Sequence, residues 1–105
     1  MPTSHAVLRL RRTGGLAGVA TEAVIDTAQI DAGEAGEVLA ALDAADLPAL
    51  AGRPPPPPGA PDTFNYTLEV ERGAATHRIV LGEADVPQGL RPVLNALSRR
   101  SHPAA

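Results

Sequence analysis

Apolar and polar residues alternate along four stretches of the chain, residues 5–12, 19–27, 63–71 and 76–82. A period of two is typical of a β-strand with one buried face and one wet face. The segments "RTGGLAG" and "RGAA" follow the first and third strands, and their glycines supply the positive φ angles that tight turns need. The pattern therefore predicts two hairpins. The positions predicted to face inward are Ala6, Leu8, Leu10, Thr21, Ala23, Ile25, Phe64, Tyr66, Leu68, Val70, His77, Ile79 and Leu81.

A helix is predicted between the two hairpins, over residues 32–45. Asp31 is a candidate N-cap, and Glu34, three residues later, completes a capping pair with it. The helix is expected to end before Leu47, because Pro48 disfavours helical backbone at the residue before it. The apolar positions at helical spacing are Val38, Leu39, Leu42 and Ala45.

A second helix is predicted to begin near Arg91, after a looser turn over residues 87–90. Pro92 is tolerated there because the N–H groups in the first turn of a helix have no partner within the helix, so the N–H that proline lacks costs no hydrogen bond. Arg99 and Arg100 in the last turn suit the negative end of the helix dipole. The apolar positions of this helix are Leu90, Val93, Leu94 and Leu97.

The order β-β-α-β-β-α predicts the fold class. A four-stranded, mostly antiparallel sheet with two helices packed over it buries all these apolar faces at once, which is a two-layer α+β fold. The 105 residues suit a single domain. Five prolines at 54–58 prefer extended polyproline II backbone, so residues 53–61 are expected to form a stiff loop. Residues 98–105 are expected to form a flexible tail.

The composition of the chain argues against several classes of protein function. The net charge of −3 argues against nucleic-acid binding, which normally needs a basic face. No apolar stretch approaches the roughly 18 residues of a membrane span, and the first residues lack the pattern of a signal peptide. Without cysteine, nothing requires an oxidising compartment. We therefore expect a cytoplasmic protein that binds neither nucleic acid nor membrane.

Catalytic residues are scarce. Serine occurs only at positions 4, 98 and 101 and histidine only at 5, 77 and 102, and most of these lie near an end of the chain. His77 follows the strand pattern, which favours a partly buried, hydrogen-bonded residue over a general base. No phosphate loop, dinucleotide fingerprint or HExxH motif is present. We expect a binding protein that is not an enzyme and has no cofactor and no metal.

Four collinear segments, "LRLRRTGGLAGV", "PDTFNYTLEV", "THRIVLGEADVP" and "LRPVLNAL", resemble the emfourin family over residues 8–97. That family comprises small protein inhibitors associated with protealysin, a thermolysin-like zinc metallopeptidase. The resemblance implies a tight, reversible inhibitor of a thermolysin-like (protealysin-like) metallopeptidase, monomeric when free and encoded beside its target. The five-proline run and the C-terminal tail are departures from the family pattern.

The resemblance also implies a mode of binding. Thermolysin-like enzymes have a cleft with zinc at its floor and a pocket for bulky apolar side chains, which Leu16 would enter. A tight inhibitor presents rigid projections that are ordered before binding, so that little conformational entropy is lost on association. No side chain is an obvious zinc chelator, so occlusion is expected instead of metal removal. The predicted partner-binding residues are Gly14, Gly15, Leu16, Ala17 and Gly18, with Arg53, Pro54, Pro55, Pro56, Pro57 and Pro58 as a second contact.

Each segment also has an alternative interpretation that involves no peptidase. The glycines are also typical of a tight turn with a bulge and no further role. The proline run is also typical of a stiff connector, or of a ligand for a proline-recognising module. The alternative to an inhibitor is a non-catalytic interaction or regulatory domain with a different partner.

Overall fold

The computed structural model describes residues 5–14, 20–52 and 64–103. Within these residues, five antiparallel strands and three α-helices form a two-layer α+β fold. This confirms the predicted class and corrects the predicted counts of four strands and two helices. The elements are β1 (Ala6–Gly14), β2 (Thr21–Asp26), α1 (Ala32–Ala44), α2 (Leu47–Ala51), β3 (Phe64–Arg72), β4 (Ala75–Gly82), α3 (Arg91–Ser98) and β5 (His102–Pro103), with 3₁₀ turns at Glu83–Asp85 and Gln88–Leu90.

The sheet has the strand order β4-β3-β1-β2-β5, so the first strand lies at its centre. β1 pairs with β3 along its whole length, from Ala6 opposite Arg72 to Gly14 opposite Phe64. The hairpin between β3 and β4 turns at Gly73, whose φ of +62° is the left-handed backbone that favours glycine. The predicted "RGAA" turn is confirmed.

The core lies between the sheet and the helices and is built almost wholly of aliphatic side chains. The predicted inward residues of β1 are all buried, and so are the four apolar residues predicted for the last helix. Tyr66 packs against this core while half-buried. The largest fully buried side chains are Leu8, Ile25, Val38, Leu42, Leu68, Val70, Ile79, Leu90, Val93 and Leu97.

Two short elements were not predicted. α1 ends at Ala44, before Leu47 as predicted, and Pro48 lies in the first turn of a separate short helix, α2, where its missing N–H costs nothing. Asp46 caps this helix by accepting a hydrogen bond from the Ala49 N–H at 3.2 Å, and Leu47 is buried as its anchor. β5 adds a fifth strand in the segment where only a tail was expected.

The start of α1 confirms one half of the predicted capping pair. Asp31 accepts hydrogen bonds from the N–H groups of Gly33 at 3.0 Å and Glu34 at 3.3 Å. The Glu34 carboxylate instead accepts hydrogen bonds from the guanidinium groups of Arg99 and Arg100. Separately, no helix in the described ranges has the length and apolar character needed to cross a membrane.

Candidate functional site

One end of the sheet brings together chain positions that are far apart in sequence. Gly14 ends β1 opposite Phe64, the first residue of β3. On the other side of β1, Arg12 lies opposite Thr21, the first residue of β2, and Thr21 in turn lies opposite Pro103. We call these five residues, Arg12, Gly14, Thr21, Phe64 and Pro103, the glycine end of the sheet.

The glycine end includes Gly14, the first of the predicted contact residues, and Phe64, which follows the proline-rich segment in sequence. Gly14 has a φ of +97°, which side-chain-bearing residues rarely adopt, so a glycine is required where β1 ends. The segment after Gly14 leads to β2, and the proline-rich segment leads into Phe64. The other predicted contact residues, Gly15, Leu16, Ala17, Gly18, Arg53, Pro54, Pro55, Pro56, Pro57 and Pro58, lie outside the described residues.

A cation–π pair lies at the glycine end. The Arg12 guanidinium carbon lies 4.5 Å from the centre of the Phe64 ring, and both residues are half-buried. Phe64 was predicted to fill the core with Tyr66, but it lies outside the core cluster, at the end of its strand. Alternation in sequence predicts which face a residue occupies and does not indicate how far the helices extend over that face.

The start of β3 has a second attachment. The Phe64 N–H donates a hydrogen bond to the Glu83 Oε1 atom at 3.0 Å. Glu83 directly follows β4, so this contact ties the first residue of β3 to the end of its neighbouring strand. The Phe64 backbone is thus held both by pairing with Gly14 and by a carboxylate.

The opposite face of the sheet is open and carries charges of both signs. Arg9 and Glu71 form an ion pair, and this hydrogen bond and the Glu71 charge raise the pKa of Arg9 above its usual range. Arg11 is paired in register with Glu22. Cations and carboxylates are therefore interspersed here, as expected for a solvated strand face. A shallow depression on this face is lined by Arg9, Arg11, Glu22, Val24, Thr67, Glu69, Arg78 and His102.

Candidate nucleophiles and bases are not assembled for catalysis in the described part of the chain. Ser101 Oγ donates a hydrogen bond to the Ser98 carbonyl at 2.9 Å. His102 Nδ1 donates to the Glu22 carbonyl at 2.6 Å, since a carbonyl oxygen can only accept. His77 is half-buried as predicted, but its Nδ1 has no hydrogen-bond partner among the described residues. Over the same residues, no three His, Cys, Asp or Glu side chains converge as a metal site.

Comparison with known proteins identifies a family for this chain. Residues 10–98 match the family model described as Emfourin. The matched span runs from the middle of β1 to the last residue of α3 and ends before Arg99, Arg100 and β5. No curated protein and no solved structure matches the chain. Because the match spans most of the 105 residues, the chain belongs to the Emfourin family.

Proposed function

We propose that this protein inhibits a thermolysin-like zinc metallopeptidase by occluding its active-site cleft with the glycine end of the sheet. Membership of the Emfourin family supports a role as a metallopeptidase inhibitor and not as an enzyme. The observation that carries the finer proposal is the pairing of Gly14 with Phe64. This register puts Gly14, the first predicted contact residue, opposite Phe64, which follows the proline-rich segment in sequence, and so supports one contact surface that a single cleft can receive.

The anchoring of the glycine segment favours tight binding. β1 is a central strand; Gly14 is paired with Phe64 of β3, while the pairing of β1 with β2 ends at Arg12 and Thr21. A segment held at its base loses less conformational freedom when it binds, and affinity rises accordingly. In the proposed complex, Leu16 enters the apolar pocket of the cleft, and the neighbouring glycines let the backbone approach the cleft walls closely.

Arg12 and Phe64 form the described part of the proposed contact surface. Arginine and aromatic residues are enriched among the residues that dominate binding energy at protein interfaces. Their cation–π contact holds both side chains in place before the peptidase arrives. We propose that the Phe64 ring packs against the rim of the cleft beside the glycine segment.

Occlusion, not zinc removal, is the proposed mechanism. Removing zinc from a peptidase requires several ligand side chains that converge on the ion. Peptidase recovered from the complex should therefore retain its zinc and its full activity. We further propose that the inhibitor is a cytoplasmic monomer when free, which size-exclusion chromatography and cell fractionation test.

Titration of a thermolysin-like peptidase with this protein tests the proposal, and a peptidase encoded beside this gene is the expected target. We expect inhibition that is complete at about one inhibitor per peptidase, with the inhibitor uncut. Leu16→Asp should raise the inhibition constant by at least about a hundredfold, because an unpaired charge would enter an apolar pocket. The matched control is Val24→Asp, at a position that is 54% exposed on the open face of the sheet, and it should inhibit like the wild type. Equal potency of Leu16→Asp and Val24→Asp would remove the glycine segment from the mechanism.

A second candidate function, an interaction domain with a different partner, is favoured by an apolar groove away from the glycine end. Asp43 is the residue directly before Ala44, which lines this groove. Asp43 forms an ion pair at 2.5 Å with Arg72, and Arg72 lies at the opposite end of β3 from Phe64. Absence of any peptidase inhibition by the wild type would favour this function. The groove is lined by Ala44, Ala45, Asp46, Ala49, Leu50, Pro87, Gly89 and Leu90.

A further inference from the structure

The C-terminal residues pair with the beginning of β2. His102 lies opposite Glu22, and Pro103 lies opposite Thr21. The His102 ring adds a hydrogen bond from Nδ1 to the Glu22 carbonyl at 2.6 Å. β5 therefore covers the part of β2 that directly follows the predicted glycine segment.

A strand of two residues is too short to hold its place by pairing alone. The anchor is a clamp between the ends of two helices, at Glu34, Arg99 and Arg100. Arg100 Nη2 donates to Glu34 Oε1 at 2.5 Å and Arg100 Nη1 to Oε2 at 3.1 Å, and Arg99 Nη2 donates to Oε2 at 2.5 Å. Arg100 Nη1 also donates to the Ala96 carbonyl at 2.9 Å. This two-point arginine–carboxylate geometry fixes direction as well as distance.

The link between this clamp and β5 is short and hydrogen-bonded. The Arg100 N–H donates to the Leu97 carbonyl at 2.9 Å, and the Ser101 N–H donates to the Ser98 carbonyl at 3.2 Å. Leu97 is fully buried, so the end of α3 is fixed in the core. The chain thus passes from a buried helix to the edge of β2 through consecutive bonded turns.

We infer that residues 99–103 form a C-terminal clasp that fixes the start of β2, and that Glu34 and Arg100 are positioning residues for the glycine end. Without β5, the first residues of β2 would be the end of an edge strand, where local opening is easiest. Opening at Thr21 would loosen one base of the glycine segment and raise the ordering cost of binding. The inhibitory consequence rests on the proposed function, whereas the structural part does not depend on it.

Amide hydrogen exchange tests the structural part without any peptidase. Glu34→Gln and Arg100→Gln should speed exchange at Thr21 and Glu22 by at least about tenfold, with little change over residues 23–26. The matched control is Asp43→Asn, which breaks the ion pair with Arg72 at the other end of the sheet and should leave Thr21 and Glu22 unchanged. Unchanged exchange at these two amides in Glu34→Gln would overturn the clasp.

A truncation after Ser101 covers the case in which the clamp variants fail to fold. It removes β5 and keeps Glu34, Arg99 and Arg100, and faster exchange confined to Thr21 and Glu22 is expected. If exchange in the truncated protein matches the wild type, β5 does not hold the start of β2 and the inference is wrong.

Inhibition kinetics test the positioning role. At a temperature where all variants are fully folded, Arg100→Gln should weaken inhibition about tenfold, and Arg100→Lys, which keeps the charge but not the two-point geometry, should lie between it and the wild type. Faster exchange with unchanged inhibition would refute the positioning role alone. A wild-type protein that inhibits no peptidase would refute the proposed function, while the exchange result would still decide whether the clasp exists.

Discussion

Gly14 and Phe64 lie directly opposite each other in β1 and β3, at the end of the sheet where both strands meet the predicted contact segments. Gly14 needs its positive φ of +97° to end β1 there, and the Phe64 backbone is held by Glu83. This pairing makes two residues that are distant in sequence direct neighbours in the sheet. It is also what makes a single binding surface physically reasonable, because one rigid sheet supports both.

Phe64→Ala should weaken peptidase inhibition while leaving the fold intact. Truncating an aromatic residue that contributes strongly to an interface typically costs about 2 kcal/mol, or roughly thirtyfold in the inhibition constant. Phe64 lies outside the core cluster, so its loss should lower the free energy of unfolding by less than about 1 kcal/mol. Phe64→Tyr, which keeps the ring beneath Arg12, is the control and should inhibit like the wild type. Equal inhibition constants for Phe64→Ala and Phe64→Tyr would contradict a contact role.

Gly73→Ala and Gly36→Ala should change stability in opposite directions. Gly73 adopts a φ of +62°, so alanine there should lower the free energy of unfolding by about 1 kcal/mol or more, although the space around it is open. Gly36 lies inside α1 with nothing within 4 Å of an added Cβ, so alanine there should raise the free energy of unfolding by about 0.5–1 kcal/mol. Urea unfolding of the two variants measures both changes. A shift of the same sign in both would show that the backbone argument is wrong.

The clamp at Glu34 should make stability depend on pH only in acid. Hydrogen bonds from Arg100 and then Arg99 lower the pKa of Glu34 from 4.5 to about 2. Since the folded-state pKa is the lower one, the stabilisation is fully present above about pH 4.5 and is lost as the pH falls toward 2. The difference in thermal midpoint between the wild type and Glu34→Gln should thus be constant from pH 7 to 5 and shrink below that range. A difference that persists at pH 2 would contradict an ionic clamp.

Leu97→Ala should strongly destabilise the protein. Leu97 is fully buried in the core that α3 shares with the sheet, and such truncations cost about 2–5 kcal/mol through lost burial and the cavity left behind. For a domain of this size that loss is a large share of the total free energy of unfolding, so the thermal midpoint should fall by at least about 10 °C. Val24→Ala, at an exposed site, should change the midpoint by no more than about 3 °C. A midpoint for Leu97→Ala within that small range would show that α3 is not part of the cooperative core.

Features that depend on local periodicity and on local backbone chemistry were predictable from the amino-acid sequence. Alternation predicted the strands and their buried faces, Asp31 predicted the start of α1, and the spacing from Leu90 to Leu97 predicted α3. These predictions succeed because each depends on residues a few positions apart. Collinear segments were likewise sufficient to indicate the family that the match confirmed.

Contacts between residues that are far apart in sequence were not predictable and became visible in the folded chain. No local pattern predicts that Gly14 faces Phe64, that Glu34 binds Arg100 across 66 positions, or that His102 and Pro103 extend the sheet. Each of these contacts depends on strand order and on where the helices end over the sheet, which are properties of the whole packed core. Long-range strand pairing depends on burying the apolar faces of all elements at once, whereas the periodicity of one segment specifies only which face of that segment is apolar.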